Sequence, residues 1–202
     1  ETLFGVRRPI SGSMRLDGRP YAPRTTRQAI NQGVFLVAKD RVDSGIVPDF
    51  NIYENISLPF LKRSSFFSVS NRRRERNRAR AQIASLGVVC RTERDEMDTL
   101  SGGNQQKVMV ARWLSEASRM LILDEPFQGV DIAARRDIGS KLRASADGRA
   151  TLVFLTEIDE AFEIADRIVV MSEHTLVGEH RNADVNIDKL LAEIAGQHRM
   201  VI

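Results

Sequence analysis

The chain has 202 residues, enough for one domain with a substantial core, and its 42% hydrophobic and 28% charged residues are typical of a globular protein. Its net charge of +3 is mildly basic, and its single cysteine excludes an internal disulfide bond and suits a reducing compartment. No apolar run approaches the roughly 20 residues of a membrane-spanning helix and no signal peptide opens the sequence, so we expect any membrane role to come through a partner.

The first elements predicted along the chain are a hairpin, a helix and a buried strand. The alternating run Gly12–Gly18 ends on Asp-Gly, which is typical of an antiparallel strand and a tight turn. Thr26–Gln32 predicts a short helix that ends at Gly33. The branched and aromatic run Val34–Ala38 predicts a buried strand, and Lys39 follows it directly.

Arginines crowd the stretch from Asn71 to Arg80. One interpretation is a surface for nucleic acid or another anionic partner, because clustered basic side chains attract phosphate. The other is the exposed face of an amphipathic helix, whose apolar face would carry Ala79, Ile83, Ala84 and Leu86. We favour the helix and expect no nucleic-acid partner, since few aromatic residues lie nearby to stack on bases.

The run Leu100–Val108 reads Leu-Ser-Gly-Gly-Asn-Gln-Gln-Lys-Val and predicts a helix that begins after a serine and two glycines. The unpaired N–H groups at a helix start lie at the positive end of the helix dipole and attract an anion. Glycines let an anion approach the backbone closely, and a serine hydroxyl either caps the helix or contacts the anion. Taken alone, the run also fits an ordinary serine-capped helix.

The run Met120–Leu123 is continuously apolar, as expected for a strand of a parallel sheet that is buried on both faces. Asp124 and Glu125 follow it, and Pro126 fits a turn. Ligands of open α/β sheets bind at the carboxyl ends of the strands, so both carboxylates are candidates for catalysis. A polar turn without a function is the alternative.

The rest of the chain predicts further α/β elements. The predictions are an amphipathic helix over Ile132–Ala146, a buried strand over Thr151–Leu155, a helix over Glu157–Ala165, a closing hairpin formed by Asp166–Met171 and Thr175–Glu179, and a C-terminal helix over Ile187–Ile194. His174, His180 and His198 lack metal-ligand spacing, and we expect ordinary surface or turn residues there.

The pairing of Leu-Ser-Gly-Gly-Asn-Gln-Gln-Lys-Val with the strand that ends on Asp124 and Glu125 resembles the signature loop and Walker B strand of ABC transporter ATPases. This form of the loop is most similar to the second ATPase half of sugar-import subunits, in which two halves share one polypeptide. The resemblance covers essentially the whole chain. It implies an α/β P-loop NTPase (ABC ATPase) core with an inserted helical subdomain.

The resemblance also implies a division of the chain. We expect the N-terminal part of the ATPase core at 1–48, the helical (signature) subdomain at 49–99, the signature loop and catalytic core at 100–181 and a C-terminal helix at 182–202. Glu1–Gly5 resembles the end of the helix that follows a P-loop, and no G-x-x-x-x-G-K-[ST] run occurs in the 202 residues. We therefore expect an N-terminally truncated core that does not turn over ATP by itself.

In this family the signature loop touches the γ-phosphate of ATP held by the opposing half. The resemblance makes Ser101, Gly102, Gly103 and Gln105 candidate nucleotide contacts.

The resemblance implies roles for other positions as well. Asp124 would help to hold Mg²⁺ through water, and Glu125 would polarise the attacking water. Asp131 matches the D-loop that links the two halves, and Thr156 stands where most members carry a switch histidine and sugar-import second halves often carry a small hydroxyl residue. Lys39 departs from the family glutamine; it either contacts phosphate or is solvated, and we favour the solvated interpretation.

The parent protein implied by the resemblance is the ATP-hydrolysing subunit of a bacterial sugar importer, peripheral at the cytoplasmic face of the inner membrane. Its expected cofactors are ATP and Mg²⁺. Its expected partners are membrane permease subunits, a second ATPase half and, indirectly, a solute-binding protein. Two alternatives remain: a non-hydrolytic half that only completes the partner's ATP site, and a nucleic-acid-binding ATPase of the same superfamily.

Overall fold

The computed structural model describes residues 1–40, 45–61, 65–66, 69–146 and 148–196. The chain forms two compact units, Glu1–Phe154 and Leu155–Ile202. His198, expected to be an ordinary surface or turn residue, lies outside the described residues. No helix among the described residues is long and apolar enough to cross a membrane.

The first unit is built on a parallel sheet of three strands in the order β3-β6-β7, with β3 at Val34–Val37, β6 at Met120–Asp124 and β7 at Ala150–Phe154. Val37 pairs with Leu123, and Asp124 pairs with Phe154. Because all three strands run in the same direction, their carboxyl ends meet at one edge of the sheet. Two short hairpins accompany this sheet: β1 (Arg15–Leu16) with β2 (Arg19–Pro20), and β4 (Ser65–Phe66) with β5 (Val69–Ser70).

The Asp-Gly signal near the N-terminus is confirmed as a hairpin turn, although its strands are shorter than expected. Asp17 and Gly18 connect β1 to β2 and have φ angles of 49° and 74°. Positive φ at both central residues is the geometry of a type I′ turn, which matches the twist of paired strands.

The helices of the first unit are α1 (Thr26–Asn31), α2 (Ile52–Ser57), α3 (Arg72–Leu86), α4 (Gly102–Leu114) and α5 (Ile132–Ala144). Short 3₁₀ turns lie at Thr2–Phe4, Leu58–Phe60 and Met97–Thr99. Helix α2 begins with a capping box, in which Asn51 accepts from the Glu54 N–H and Glu54 accepts from the Asn51 N–H. Helices α2, α3 and α4 pack against one another, which gives the helical part of the unit a core of its own.

Aromatic side chains join α4 to the sheet. The ring centroid of Trp113 on α4 lies 5.9 Å from Phe4, 5.3 Å from Phe35 on β3 and 5.9 Å from Phe60. Each such pair contributes about 0.5–1.5 kcal/mol beyond its buried area. The cluster therefore fixes the C-terminal half of α4 against β3.

The second unit consists of α6 (Ile158–Ile164), the antiparallel pair β8 (Arg167–Ser172) and β9 (Thr175–Arg181), a 3₁₀ turn at Asn182–Asp184, and α7 (Ile187–Ile194). The expected closing hairpin and C-terminal helix are confirmed. Glu173 and His174 form the turn between β8 and β9 with φ angles of 46° and 64°, so His174 is a turn residue as expected.

His180 corrects the expectation of an ordinary surface histidine. Its side chain is 8% exposed and its Nε2 lies 2.7 Å from Oε2 of Glu193 on α7. Gly178 makes this approach possible, because a Cβ built there would coincide with the Glu193 carboxylate. The period-two pattern of β9 marks alternate faces but does not reveal which helix covers one of them.

Two burial predictions are wrong. The strand expected to be buried over Thr151–Leu155 is β7, which lies at the edge of the three-stranded sheet and is only partly covered; Phe154 is 44% exposed. On α3, Ala79 and Leu86 are buried as expected, but Ala84 is exposed. Glu75 takes a buried position on that face instead, because apolar side chains alone do not reveal which polar residue the neighbouring elements cover.

Candidate functional site

The two carboxylates predicted for catalysis lie at the carboxyl edge of the three-stranded sheet. Asp124 is the last residue of β6, and Glu125 follows it. Lys39 lies two residues beyond Val37, the last residue of β3, which pairs with Leu123, so Lys39 follows the strand next to β6 at the same edge of the sheet. Lys39 is exposed, as the solvated interpretation expects.

Glu125 has an unusual backbone conformation. Its φ angle is 47°, in the left-handed region that residues other than glycine rarely adopt. Its N–H donates to the Phe154 carbonyl at 3.0 Å, so the neighbouring strand holds this turn in place. Strained backbone of this kind occurs preferentially at functional sites, where it directs a side chain.

The carboxylates alone do not form a complete metal centre. Among the residues that the structure describes, no group of three or more His, Cys, Asp or Glu side chains could hold a metal ion. Mg²⁺ is commonly held by one or two carboxylates, water and substrate phosphates. The pair Asp124 and Glu125 fits that type of site and does not fit a cage made only of protein ligands.

The helix start predicted after Ser101 is observed at α4. Ser101 is the N-cap residue, with φ −62° and ψ 157°, but its hydroxyl does not cap the helix. Instead, its Oγ accepts a hydrogen bond of 3.0 Å from Nδ2 of Asn104. The first-turn N–H groups of this 13-residue helix therefore have no side-chain cap, at the positive end of the helix dipole.

The remaining residues of the loop have distinct surroundings. Gly103 is buried, and a Cβ built there would lie 3.0 Å from Cβ of Ala134 and 3.5 Å from Oδ2 of Asp131. This glycine therefore lets α4 approach the start of α5. Gln105 donates from Nε2 to the Met97 carbonyl at 2.9 Å and so fixes the preceding 3₁₀ turn; Gly102 is partly exposed.

Asp131 is brought beside this helix start, whereas Thr156 belongs to the other unit. Asp131 is the N-cap residue of α5, and its Oδ1 accepts from the Ala134 N–H at 2.9 Å. Thr156 is an exposed residue just before α6. The structure thus joins Asp131 to the loop at Ser101 within one unit, and it describes Thr156 only within the second unit.

Sequence reasoning missed Arg112, which connects α4 to the helical part of the unit. The Arg112 guanidinium is buried and donates to Asn55 O at 2.7 Å, to Asn55 Oδ1 at 3.0 Å and to Gly45 O at 2.6 Å. Burial lowers the pKa of Arg112 to about 10. The Asn55 amide nitrogen in turn donates to the carbonyls of Val47, Phe50 and Asn51.

The arginines of α3 are partly engaged by acidic side chains. Arg76 Nε lies 2.6 Å from Glu93 Oε1, Arg80 Nε lies 3.0 Å from Glu93 Oε2, and Arg78 pairs with Glu116 at 2.6 Å. The hydrogen bond from Arg80, reinforced by Arg76, lowers the pKa of the buried Glu93 carboxyl to about 2. These arginines therefore stabilise the fold, in agreement with the helix interpretation of the arginine-rich stretch.

A family model described as ABC transporter matches residues 1–128. The chain belongs to this family. The matched residues include the helix start at Ser101 and both carboxylates of the sheet edge. Asp131 and Thr156 follow the matched range.

Curated members of the ABC transporter family resemble nearly the whole chain. The ribose import ATP-binding protein RbsA 2 of Rubrobacter xylanophilus is 34% identical over 197 residues, which cover 97% of this chain and 38% of that protein. The arabinose import ATP-binding protein AraG of Pseudomonas syringae pv. syringae is 37% identical over 191 residues, with 94% and 38% covered. The chain therefore spans about two fifths of the length of these relatives.

Solved ABC cassettes share the fold. The ATP-binding cassette MJ1267 of an ABC transporter superimposes with a TM-score of 0.78 at 17% identity, over 96% of this chain and 79% of that one. At this identity the likeness shows the fold, which is the α/β ABC ATPase fold expected from the sequence.

Proposed function

We propose that this chain is one nucleotide-binding half of the ATPase subunit of a sugar importer. The observation that carries the proposal is the pairing, in one ABC transporter unit, of an uncapped helix start at Ser101 with two carboxylates at the carboxyl edge of the sheet. The relatives that are 34% and 37% identical are named for ribose and arabinose import, and we base the proposed direction of transport and the proposed class of solute on them.

In this proposal the two sites serve different ATP molecules. The helix start at Ser101, with Gly102, Gly103 and Gln105, completes the site of an ATP held by the facing half, because uncapped N–H groups and the helix dipole favour a phosphate. Asp131, beside Gly103, lies where this loop and the facing half would meet. Thr156 would take the position that senses the γ-phosphate.

At the sheet edge, Glu125 acts as the general base that orients and polarises the attacking water. Asp124 holds a hydrated Mg²⁺, and the ion supplies charge neutralisation at the phosphates when it is bound. The left-handed backbone of Glu125 directs its carboxylate away from the strand direction. ATP binding would close the two halves, and hydrolysis would release them.

The proposed partners follow from the same family. Membrane permease subunits would bind the helical part of the first unit, and a solute-binding protein would act through the permease. The subunit would be peripheral on the cytoplasmic face of the membrane. The relatives act on ribose and arabinose, so pentoses are the first solutes to test.

A transport assay tests the function. The complete polypeptide that carries this chain is reconstituted with its permease in liposomes, and uptake of labelled ribose and arabinose is measured with ATP on the cytoplasmic side. We expect ATP-dependent uptake that Glu125→Gln abolishes. If ATP drives the uptake of none of the monosaccharides tested, the importer function is contradicted.

A second candidate is a half that completes its partner's ATP site without hydrolysis of its own. The exposed Lys39 at the same sheet edge favours it, because a cation there departs both from the glutamine of most family members and from the acidic residue common in sugar-import second halves. Single-turnover hydrolysis by the complete polypeptide distinguishes the two candidate functions. If this half is catalytic, Glu125→Gln removes one of the two ATP molecules hydrolysed; if it is non-hydrolytic, Glu125→Gln removes none.

A further inference from the structure

The Ser101 hydroxyl is arranged differently from that of an ordinary N-cap serine. An N-cap serine normally accepts a hydrogen bond from the N–H of the third helical residue, which satisfies one unpaired donor of the first turn. Here the third helical residue is Asn104. Its side-chain Nδ2, and not its backbone N–H, donates to Ser101 Oγ at 3.0 Å. Ser101 itself is exposed.

The orientation of the Asn104 amide is determined by its second neighbour. The backbone N–H of Val89 donates to Asn104 Oδ1 at 2.8 Å. A backbone N–H is a donor only, so the atom that it meets must be the amide oxygen. The atom that meets Ser101 Oγ is therefore the amide nitrogen, which is also a donor only.

This arrangement fixes the role of the serine hydroxyl. A serine hydroxyl has one proton to donate and two lone pairs that accept. Because Asn104 donates to Ser101 Oγ, the Ser101 proton is left to point elsewhere. Within the part of the chain that the structure describes, Ser101 Oγ donates no hydrogen bond, so its proton is available to an acceptor from outside the chain.

We propose that Asn104 is a positioning residue that holds the Ser101 hydroxyl as a hydrogen-bond donor to a phosphate oxygen of ATP. The inference rests on the proposed function, since the phosphate belongs to the ATP that the helix start completes. The N–H of Val89, which precedes Cys90 in the loop after α3, sets the orientation of the Asn104 amide. The amide in turn leaves the Ser101 hydroxyl as a donor at a helix start whose first-turn N–H groups have no side-chain cap.

The alternative is a purely structural role, in which Asn104 only ties the loop at Val89 to the first turn of α4. Both roles predict some loss of stability when Asn104 is removed. They differ in whether the effect of Asn104 on ATP binding requires the Ser101 hydroxyl. A double-mutant cycle measures that requirement directly.

The cycle consists of wild type, Ser101→Ala, Asn104→Ala and the double variant, all in the complete polypeptide with Glu125→Gln to prevent turnover. The readout is the dissociation constant of Mg-ATP for the closed state. We expect Ser101→Ala to weaken binding about ten- to hundredfold, as for loss of a hydrogen bond to a charged group. Asn104→Ala should weaken it about three- to tenfold in wild type, and less than about twofold when Ser101 is already alanine.

Asn104→Asp sharpens the test because a carboxylate is nearly the same shape but accepts only. One oxygen keeps the bond from the Val89 N–H, and the other takes the Ser101 proton, which turns the hydroxyl away from phosphate. We expect Asn104→Asp to weaken Mg-ATP binding more than Asn104→Ala does. Part of that excess should persist in the Ser101→Ala background as charge repulsion, and added salt should reduce that part.

A ligand-free readout checks the geometry. Amide hydrogen exchange at Val89 should accelerate in Asn104→Ala, which removes its acceptor, and should stay close to wild type in Asn104→Asp, which retains one. Asn77→Ala, at an exposed asparagine of α3, is the matched control and should change neither exchange at Val89 nor binding.

The possible failures are distinguishable. If Ser101→Ala weakens binding but Asn104→Ala gives the same loss in both backgrounds, the positioning role is overturned and the proposed function stands. The positioning role is also overturned, again without loss of the proposed function, if Asn104→Asp binds Mg-ATP as wild type does. If Ser101→Ala leaves Mg-ATP binding unchanged, both the inference and the assignment of the helix start to ATP are overturned.

Discussion

At the scale of the residue, Glu125 combines a strained backbone with the position expected of the catalytic base. Its φ of 47° costs about 1–3 kcal/mol for a residue with a Cβ, and the bond from its N–H to the Phe154 carbonyl maintains it. The local structure thus gives up stability at the residue that is the candidate catalytic base.

This strain predicts an inverted order of stability among substitutions at Glu125. Both Glu125→Ala and Glu125→Gly remove the side chain, but only glycine adopts positive φ without cost. We expect Glu125→Gly to have a free energy of unfolding about 1 kcal/mol higher than Glu125→Ala, measured by urea denaturation. At the helical position Asn77, the order should be the usual one, with alanine more stable than glycine. An equal or lower stability of Glu125→Gly would contradict a left-handed Glu125.

The sequence predicts which residues form the candidate site but not how two of them are held. The patterns at Ser101 and Asp124 identify a helix start and a strand end because both depend on local spacing. The positive φ of Glu125 depends on the carbonyl of β7, which is remote in the sequence. The Asn104 bridge depends on the backbone of Val89, which lies in a different element, and no local pattern marks it.

At the scale of the element, α4 is anchored through two neighbouring residues near its C-terminus. Trp113 packs into the aromatic cluster with Phe4, Phe35 and Phe60. Arg112 donates hydrogen bonds to Gly45 and to Asn55 within α2. The orientation of the Ser101 helix start relative to the sheet edge therefore depends on these contacts.

Arg112 should be essential for stability and not replaceable by lysine. Its planar guanidinium donates to three acceptors at once, which an ammonium group on a flexible stem does not reproduce. We expect Arg112→Met to lower the free energy of unfolding by about 3 kcal/mol or more and Arg112→Lys by about 2 kcal/mol. Arg73→Lys on the exposed side of α3 is the control and should change it by less than about 0.5 kcal/mol. Full stability of Arg112→Lys would show that the fork of bonds is unimportant.

Glu93 makes the first unit sensitive to acid. Its pKa falls to about 2 in the folded state through the hydrogen bonds from Arg80 and Arg76, whereas a free glutamate titrates near 4.5. The folded state therefore binds fewer protons than the unfolded state between these values, and stability rises with pH across that window. The contribution of Glu93 is complete above about pH 4.5 and is lost as the pH falls toward 2.

Urea unfolding at pH 3 and pH 6 tests this pH dependence. Wild type should lose more stability than Glu93→Gln between the two values, because glutamine does not titrate. Arg80→Ala, which removes the partner that lowers the pKa most, should also shrink the difference. A wild type and a Glu93→Gln variant with the same pH dependence would contradict a role for Glu93 in acid sensitivity.

Element types follow well from the sequence, and burial follows less well. The structure confirms the predicted positions of three helices and two strands, namely α3, α4, α5, β3 and β6. Their sequences have clear periodicity, caps or apolar runs, which are local signals. The burial of β7 is predicted wrongly because an apolar run indicates that a strand is apolar, not that both of its faces are covered. Arg112 is missed for the related reason that an arginine in an amphipathic helix is usually exposed.

At the scale of the whole molecule, the chain is a member of the ABC transporter family that spans about two fifths of its sugar-import relatives. Its two proposed sites face different nucleotides, one at the Ser101 helix start and one at the sheet edge of Asp124 and Glu125. In the proposed function, each ATP site is complete only when two halves meet. The complete polypeptide, with the facing half, is therefore the form in which both sites have to be tested.

The most direct measurement compares ATP hydrolysis and ATP binding of the complete polypeptide with those of its Glu125→Gln variant. Glutamine keeps the size of the side chain and removes its ability to take a proton, so we expect hydrolysis of the ATP held at this sheet edge to fall by about 10²-fold or more while Mg-ATP binding stays near that of wild type. Total hydrolysis by the polypeptide should fall by at least the share of this site. Hydrolysis at the wild-type rate by Glu125→Gln would contradict Glu125 as the general base, and would leave this chain the role of a half that only completes its partner's site.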